Sequence, residues 1–308
     1  STVMFRYFFI FIILIASVFS ENTSAQSKES TVFSESSVPE LNDSLKLLSW
    51  NIYMLPPLIK FTGKKKRASA IGDQLAQSDY DVIILQEAFL SGARKKINKK
   101  LNKEYAYKIG PAFRKRFSLR TSSGIWILSK YPLKEVAKIK YKNKYGFDNK
   151  MARKGALMVE VNKNGQIFEV IGTHLNAGGS LELKASQIRQ IKDELIDVYH
   201  NDDHPLVVAG DFNIDKFEVE NGLDSMLCIL DMVDYGLEGN QKFTFDHANN
   251  DLVDGKSKGV IDFVYFKPGK LKVRNTTRRI PLIEKIWSKT KKSLSDHNPV
   301  ELLLYYQP

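Results

Sequence analysis

Short apolar runs, each stopped by a polar residue, set the rhythm of this chain. Leu45–Asn51 reads as a strand, and residues 81–86 (Asp-Val-Ile-Ile-Leu-Gln) as a strand buried on both faces. Gly124–Ser129, Ala156–Asn162, Phe168–Thr173, Pro205–Ala209, Val260–Phe266 and Pro299–Tyr305 read the same way. Helical spacing appears in Lys64–Gln77, where Ala68, Ile71 and Leu75 share a face. Ser180 is placed to cap a second helix running to about Tyr199, with Leu181, Ile188, Ile191, Leu195 and Val198 on one stripe. A helix around Leu223–Leu230 is expected to bury Cys228 as an apolar filler. Strands dominate and helices are spread among them. That favours an α/β fold, a two-sheet β-sandwich flanked by helices, over residues 45–308.

The start of the chain breaks the rhythm. Arg6 precedes an apolar run from Tyr7 to Phe19, and Thr23-Ser24-Ala25 supplies small residues for cleavage. Residues 1–25 therefore read as a signal peptide, which places the mature protein in a secreted, periplasmic or extracellular setting. An uncleaved membrane anchor is the alternative, although the run is short for a span. No Cys follows it, which argues against a lipoprotein anchor. Residues 26–44, rich in Ser, Glu and Asn, read as a flexible leader.

Composition narrows the class. With 43% hydrophobic and 26% charged residues, the 308-residue chain has material for a core, which excludes wholesale disorder, a collagen-like repeat and a multi-span membrane protein. Its single cysteine, Cys228, excludes an intrachain disulfide and a zinc cluster of cysteines. A net charge of +11 survives loss of residues 1–25, which hold one Arg and one Glu. An exported basic protein meets anionic partners or uses the charge only for solubility. The excess is clustered: eleven Lys/Arg and one acid lie between Arg94 and Arg120, and Lys64-Lys65-Lys66-Arg67 forms a second run. The lysines of 94–103 have the spacing of a solvated helix face.

The chemistry sits where the apolar runs stop. Asn51 ends the first, Glu87 follows the second, His174 follows Phe168–Thr173, and Asp211 and Asn213 follow Pro205–Ala209. Asp262 lies at Ile261-Asp262-Phe263, and Asp296-His297 precede the last strand. Strand ends of a rigid scaffold can converge side chains on one site. Oxygen ligands such as Glu87 suit Mg²⁺, which neutralises charge at a phosphoryl oxygen. A histidine held by a carboxylate can take a proton from water. Taken singly, each residue is more simply a cap or a turn; it is the ordered series that points to chemistry. His200, His204 and His247 lie in polar loop-like stretches and are read as non-catalytic.

The series Trp50-Asn51, Gln86-Glu87, Thr173-His174-Leu175, Gly210-Asp211-Phe212-Asn213, Ile261-Asp262-Phe263 and Ser295-Asp296-His297 resembles the endonuclease/exonuclease/phosphatase superfamily. Within it, Asn51-Ile52-Tyr53-Met54-Leu55-Pro56, Gln86-Glu87-Ala88-Phe89, Ala152-Arg153-Lys154-Gly155-Ala156 and Thr173-His174-Leu175-Asn176-Ala177 are similar to neutral sphingomyelinases, the sphingomyelinase C branch. The resemblance implies a DNase I-like four-layer sandwich and hydrolysis of sphingomyelin to ceramide and phosphocholine with Mg²⁺, for which Mn²⁺ or Co²⁺ could substitute. It implies Glu87 as main metal ligand with Asn51 and Asp296 at the metal region. His297 becomes the general base oriented by Asp262, Asp211 and Asn213 position water and phosphate, and His174 donates to the phosphoryl oxygen or leaving group.

Ser122-Ser123-Gly124 departs from the branch, which often has an acidic residue there, so the partner that orients His174 is open. The segment from Ile283 to Lys292, where relatives can carry an aromatic membrane-inserting hairpin, holds Trp287 among lysines. It reads either as a contact for an anionic membrane or as a loop with a core Trp. The expected partners are a membrane lipid substrate and, transiently, the membrane surface, with the enzyme a monomer. Other readings are an exported nuclease, for which nucleic acid would be the partner, a phosphoinositide or sugar phosphatase, and a non-catalytic membrane-binding protein.

Overall fold

The computed structural model describes residues 44–56, 63–101, 103–114, 121–146, 151–216 and 222–307. The expected signal peptide and nearly all of the expected leader lie outside them. Among the described residues, thirteen strands fall into two main sheets and a small ribbon. The first sheet contains β1 (Ser44–Asn51), β2 (Val82–Gln86), β3 (Tyr107–Ile109), β4 (Trp126–Ser129), β12 (Lys272–Arg279) and β13 (Val300–Gln307), in the order β12-β13-β1-β2-β4-β3. The second contains β5 (Leu133–Lys140), β6 (Gly155–Lys163), β7 (Gln166–His174), β8 (Leu206–Asp211) and β11 (Asp262–Lys267), in the order β11-β8-β7-β6-β5. The ribbon pairs β9 (Phe245–Asp246) with β10 (Lys258–Gly259).

Alternation along the strands builds the layers. Leu45 and Leu47 of β1, Val82 and Ile84 of β2, and Val207 and Ala209 of β8 meet in the core between the sheets. Their neighbours face outward. Leu48, Trp50, Ile83 and Leu85 pack with α1 (Lys64–Leu75) and α2 (Ser91–Leu101) through Ala68, Ile71, Leu75, Ile97 and Leu101. Leu206 and Val208 pack with α3 (Leu181–Ile191) and α4 (Gly222–Leu230) through Ile188, Ile191, Met226 and Leu230. The result is the expected two-sheet α/β sandwich with helices on both outer faces.

Register brings the strand ends to one edge. β1 and β2 run parallel with Asn51 beside Gln86, and β7 and β8 run parallel with His174 beside Asp211. β11 is antiparallel to β8, so its first residue, Asp262, also faces Asp211. β13 is antiparallel to β1, with Ser49 opposite Val300, so the turn before β13 delivers His297 to the same edge. Gly210 permits the last step of β8: its φ is +155°, and a Cβ there would lie 2.0 Å from the Thr173 carbonyl oxygen.

Several expectations are corrected. Ser180 does cap α3, accepting from Leu183 N at 3.3 Å. The helix then widens into a π segment at Lys192–Ile196, and this phase shift leaves Val198 61% exposed instead of on the buried stripe. Leu181, at the open first turn, is also exposed. Cys228 is exposed rather than a buried filler, because α4 turns Met226 and Leu230 inward. The lysines of α2 are exposed as expected, but Arg94 among them is buried. Trp287 is tucked in: its indole Nε1 donates to Ser293 O at 2.8 Å and its ring packs on Gly63, where an added Cβ would lie 2.2 Å away. Ile286 beside it is 79% exposed.

Candidate active site

At the shared strand edge, Asp211 is the hub. Its Oδ2 accepts from Asn51 Nδ2 at 3.0 Å and lies 3.4 Å from His174 Nε2 and 3.8 Å from His297 Nε2. Its Oδ1 accepts from Asn213 N at 2.9 Å, and Asn213 itself adopts a left-handed backbone, φ +52°. Burial pushes the Asp211 carboxyl up, and His174, His297 and Lys154 outweigh it, so the group is held below the usual range and stays ionised.

His297 Nδ1 meets Asp262 Oδ2 at 2.8 Å. That contact fixes a donor on Nδ1 and leaves Nε2 toward the site. Burial alone would lower the imidazole, but Asp262 and Asp211 raise it well above its ordinary value. The backbone is pinned as firmly as the ring. Trp50 Nε1 donates to His297 O at 2.8 Å, and Ser295 Oγ, which donates to Asn51 O at 2.6 Å, accepts from His297 N at 3.3 Å. Phe245 closes the other side of the ring, edge-on at 5.3 Å. Beneath, buried Arg67 donates to Ile52 O, Tyr53 O and Leu294 O, tying the exit of β1 to the segment that carries Asp296.

Glu87 sits just past β2 in a left-handed conformation, φ +53°. Its Oε2 is buried without a hydrogen-bond partner. Burial first, then the facing Asp296 carboxylate, push Glu87 up to about 7. Burial raises Asp296 as well, against the pull of His297 and Arg67. Two buried carboxyls, both raised and one with an orphaned oxygen, fit a hard divalent cation. Asn51 differs from the expected ligand in detail: its Oδ1 accepts from Tyr53 N at 3.1 Å, so its side chain bridges Asp211 to the turn. The ligand atoms of Asp211, Asp262 and His297 also lie within 4.8 Å of one another. In that cluster Asp262 Oδ2 and His297 Nδ1 are engaged with each other at 2.8 Å, whereas Glu87 Oε2 has no hydrogen-bond partner, so the Glu87–Asp296 pair is a second candidate cation seat.

His174 Nε2 lies 2.8 Å from Lys154 Nζ, which also donates to Leu175 O at 2.8 Å. Burial and the Lys154 charge push His174 down to about 3, so it is neutral and accepts the ammonium proton. Burial lowers Lys154 itself to about 8. Lys154 is thus the hydrogen-bond partner that His174 has in the place where the sequence left one open. Ser122 and Ser123 instead accept from the backbone of Gly124 and Ile125. Lys154 escapes a sequence reading because Arg153-Lys154 looks like surface charge; its one signal is the Ala152–Ala156 motif. His200 and His204 both face Glu169, toward the other end of β7, and His247 lies against Val253 O, so none of the three joins this cluster.

Comparison with known proteins gives a consistent picture. Residues 48–297 match the endonuclease/exonuclease/phosphatase family. A phospholipase C of Staphylococcus aureus is 31% identical over 227 residues, 68% of either chain. A sphingomyelinase C of Bacillus cereus is 30% identical over 223 residues, 66% of this chain and 64% of that one. The crystal structure of a beta toxin variant from Staphylococcus aureus with bound magnesium ions superposes with a TM-score of 0.73 at 26% identity, covering 86% of this chain and 100% of that one.

Proposed function

The chain belongs to the endonuclease/exonuclease/phosphatase family, and from that premise we propose that it is an exported, magnesium-dependent phosphodiesterase that hydrolyses sphingomyelin to ceramide and phosphocholine. The observation that carries the reading is the convergence of Glu87, Asp211, Asp262, His174 and His297 from five strand ends and turns onto one edge. The names of the relatives, phospholipase C and sphingomyelinase C, supply the substrate class.

Glu87 and Asp296 would hold Mg²⁺, with Asn51 beside them, and the ion would supply neutralisation of charge on the phosphoryl oxygen. His297 Nε2 takes the proton of the attacking water, and Asp262 holds the resulting imidazolium. Asp211 and Asn213 orient water and phosphate. Lys154, with His174 neutral beside it, places an ammonium against the developing negative charge and is the proton source for the departing ceramide oxygen. Water oxygen ends on phosphorus, the phosphorus–ceramide oxygen bond breaks, and one proton passes to each side. Membrane contact falls on Ile286 and the lysines around it, since Trp287 is turned inward.

The experiment is a substrate panel with magnesium: sphingomyelin vesicles, phosphatidylcholine vesicles, a phosphoinositide and plasmid DNA. Phosphocholine release confined to the choline lipids, fastest on sphingomyelin, is expected. Cleavage of DNA or release of inorganic phosphate without lipid hydrolysis would replace the reading by nuclease or phosphatase.

A further inference from the structure

A basic recess opens where α2 begins, four residues beyond Glu87. It has a volume of about 280 Å³ and is lined by Phe89, Leu90, Ser91, Arg94, Arg114 and Thr121, among others. Its Phe89 wall leans on Gly124, where an added Cβ would lie 2.7 Å from the ring, and Ala88 N donates to Gly124 O at 2.9 Å. The recess is therefore built into the same turn that presents Glu87.

Its charge is one-sided. Arg94 is buried and donates through Nη1 to Ala88 O and Phe89 O, which fixes the guanidinium against the wall. No hydrogen bond or ion pair engages its Nε or Nη2 among the described residues. Arg114 is exposed at the mouth and has no carboxylate partner among them. Burial, and then the Arg114 charge, lower Arg94 to about 10. Two guanidiniums held near each other with no acid between them are costly unless an anion visits. The choline group cannot be that visitor, because a quaternary ammonium is repelled by guanidinium and drawn to aromatic faces. The apolar lip of Phe89 and Leu90 beside the arginines suits a lipid at an interface.

We propose that the Arg94–Arg114 recess binds the phosphate of an anionic lipid lying next to the substrate, and so holds the enzyme to negatively charged membranes. The choice of a lipid as occupant rests on the membrane reading above; the preference for an anion rests on the recess itself. It also gives a role to part of the basic cluster between Arg94 and Arg120.

The test is vesicle sedimentation in EDTA, with phosphatidylcholine alone or mixed with phosphatidic acid and with no sphingomyelin present. Wild-type protein is expected to bind the mixed vesicles more tightly. Arg114→Glu should lose about twenty- to thirty-fold of that affinity, from about 1 kcal/mol per charge near the surface over two charges. Lys99→Glu, the same charge change on an exposed site of α2, should lose under about two-fold. Equal losses in the two variants, or no gain from phosphatidic acid in the wild type, would overturn the proposal. Wild-type protein that binds as described yet releases no phosphocholine would sink the proposed reaction and leave the recess standing.

Discussion

Asp262 and His297 lie 35 residues apart in the chain and 2.8 Å apart in space. That contact makes a testable claim about protons. Asp262 raises the His297 imidazole, so replacing it with Asn must let the value fall. A general base works deprotonated, so the acid limb of the kcat/KM profile of Asp262→Asn should move to lower pH, while kcat drops by about 10²–10⁴-fold. A limb moving to higher pH would contradict the assignment. Lys154→Met should lower kcat by about 10²–10³-fold, as loss of an oriented donor does, with melting temperature checked alongside. At this scale the acids and histidines were legible because each interrupts an apolar run. Lys154 was not, because in a chain with 46 Lys and Arg only the Ala152–Ala156 motif singles it out, and that motif does not say that the lysine is buried.

Elements were legible where burial is two-sided and obscure where it is not. β2 and β8 are buried throughout and stand out as apolar runs. β5 and β12 are edge strands, β5 carrying Lys and Glu and β12 carrying Lys and Arg, charges that protect an edge from further pairing and erase the apolar signal. The α3 cap was legible from Ser180, and Ser180→Ala should cost about 1 kcal/mol in urea unfolding. The π segment was invisible, because its extra residue per turn depends on how the helix packs rather than on its composition. Trp287 shows a similar limit: a lone Trp among lysines looks exposed until the hairpin carrying it is seen folded onto Gly63.

The whole molecule places its second histidine cluster far from chemistry. Glu169 accepts from Asn201 N and faces His200 and His204, and although burial pushes its carboxyl up, those contacts hold it below its ordinary value of 4.5. A carboxyl lowered by folding stabilises the native state above its unfolded pKa and loses that contribution as pH falls through the folded one. Glu169→Gln should therefore melt lower than wild type at neutral pH, with the gap closing below pH 4.5; a gap that widens with acid would refute the sign. The two-sheet architecture was legible from strand count and alternation. That the polar strand ends converge on one site was expected from their ordered series; which strands run parallel to bring them there was not, being a matter of pairing partners distant in the chain.

The measurement that bears most directly on the account is phosphocholine release from sphingomyelin vesicles by wild type and Glu87→Ala, each in Mg²⁺ and in EDTA, with Mg²⁺ binding followed by calorimetry. The expected result is turnover by wild type only in Mg²⁺, and for Glu87→Ala loss of both turnover and Mg²⁺ binding. Release that persists in EDTA, or a Glu87→Ala protein that binds Mg²⁺ and turns over as wild type does, would contradict it.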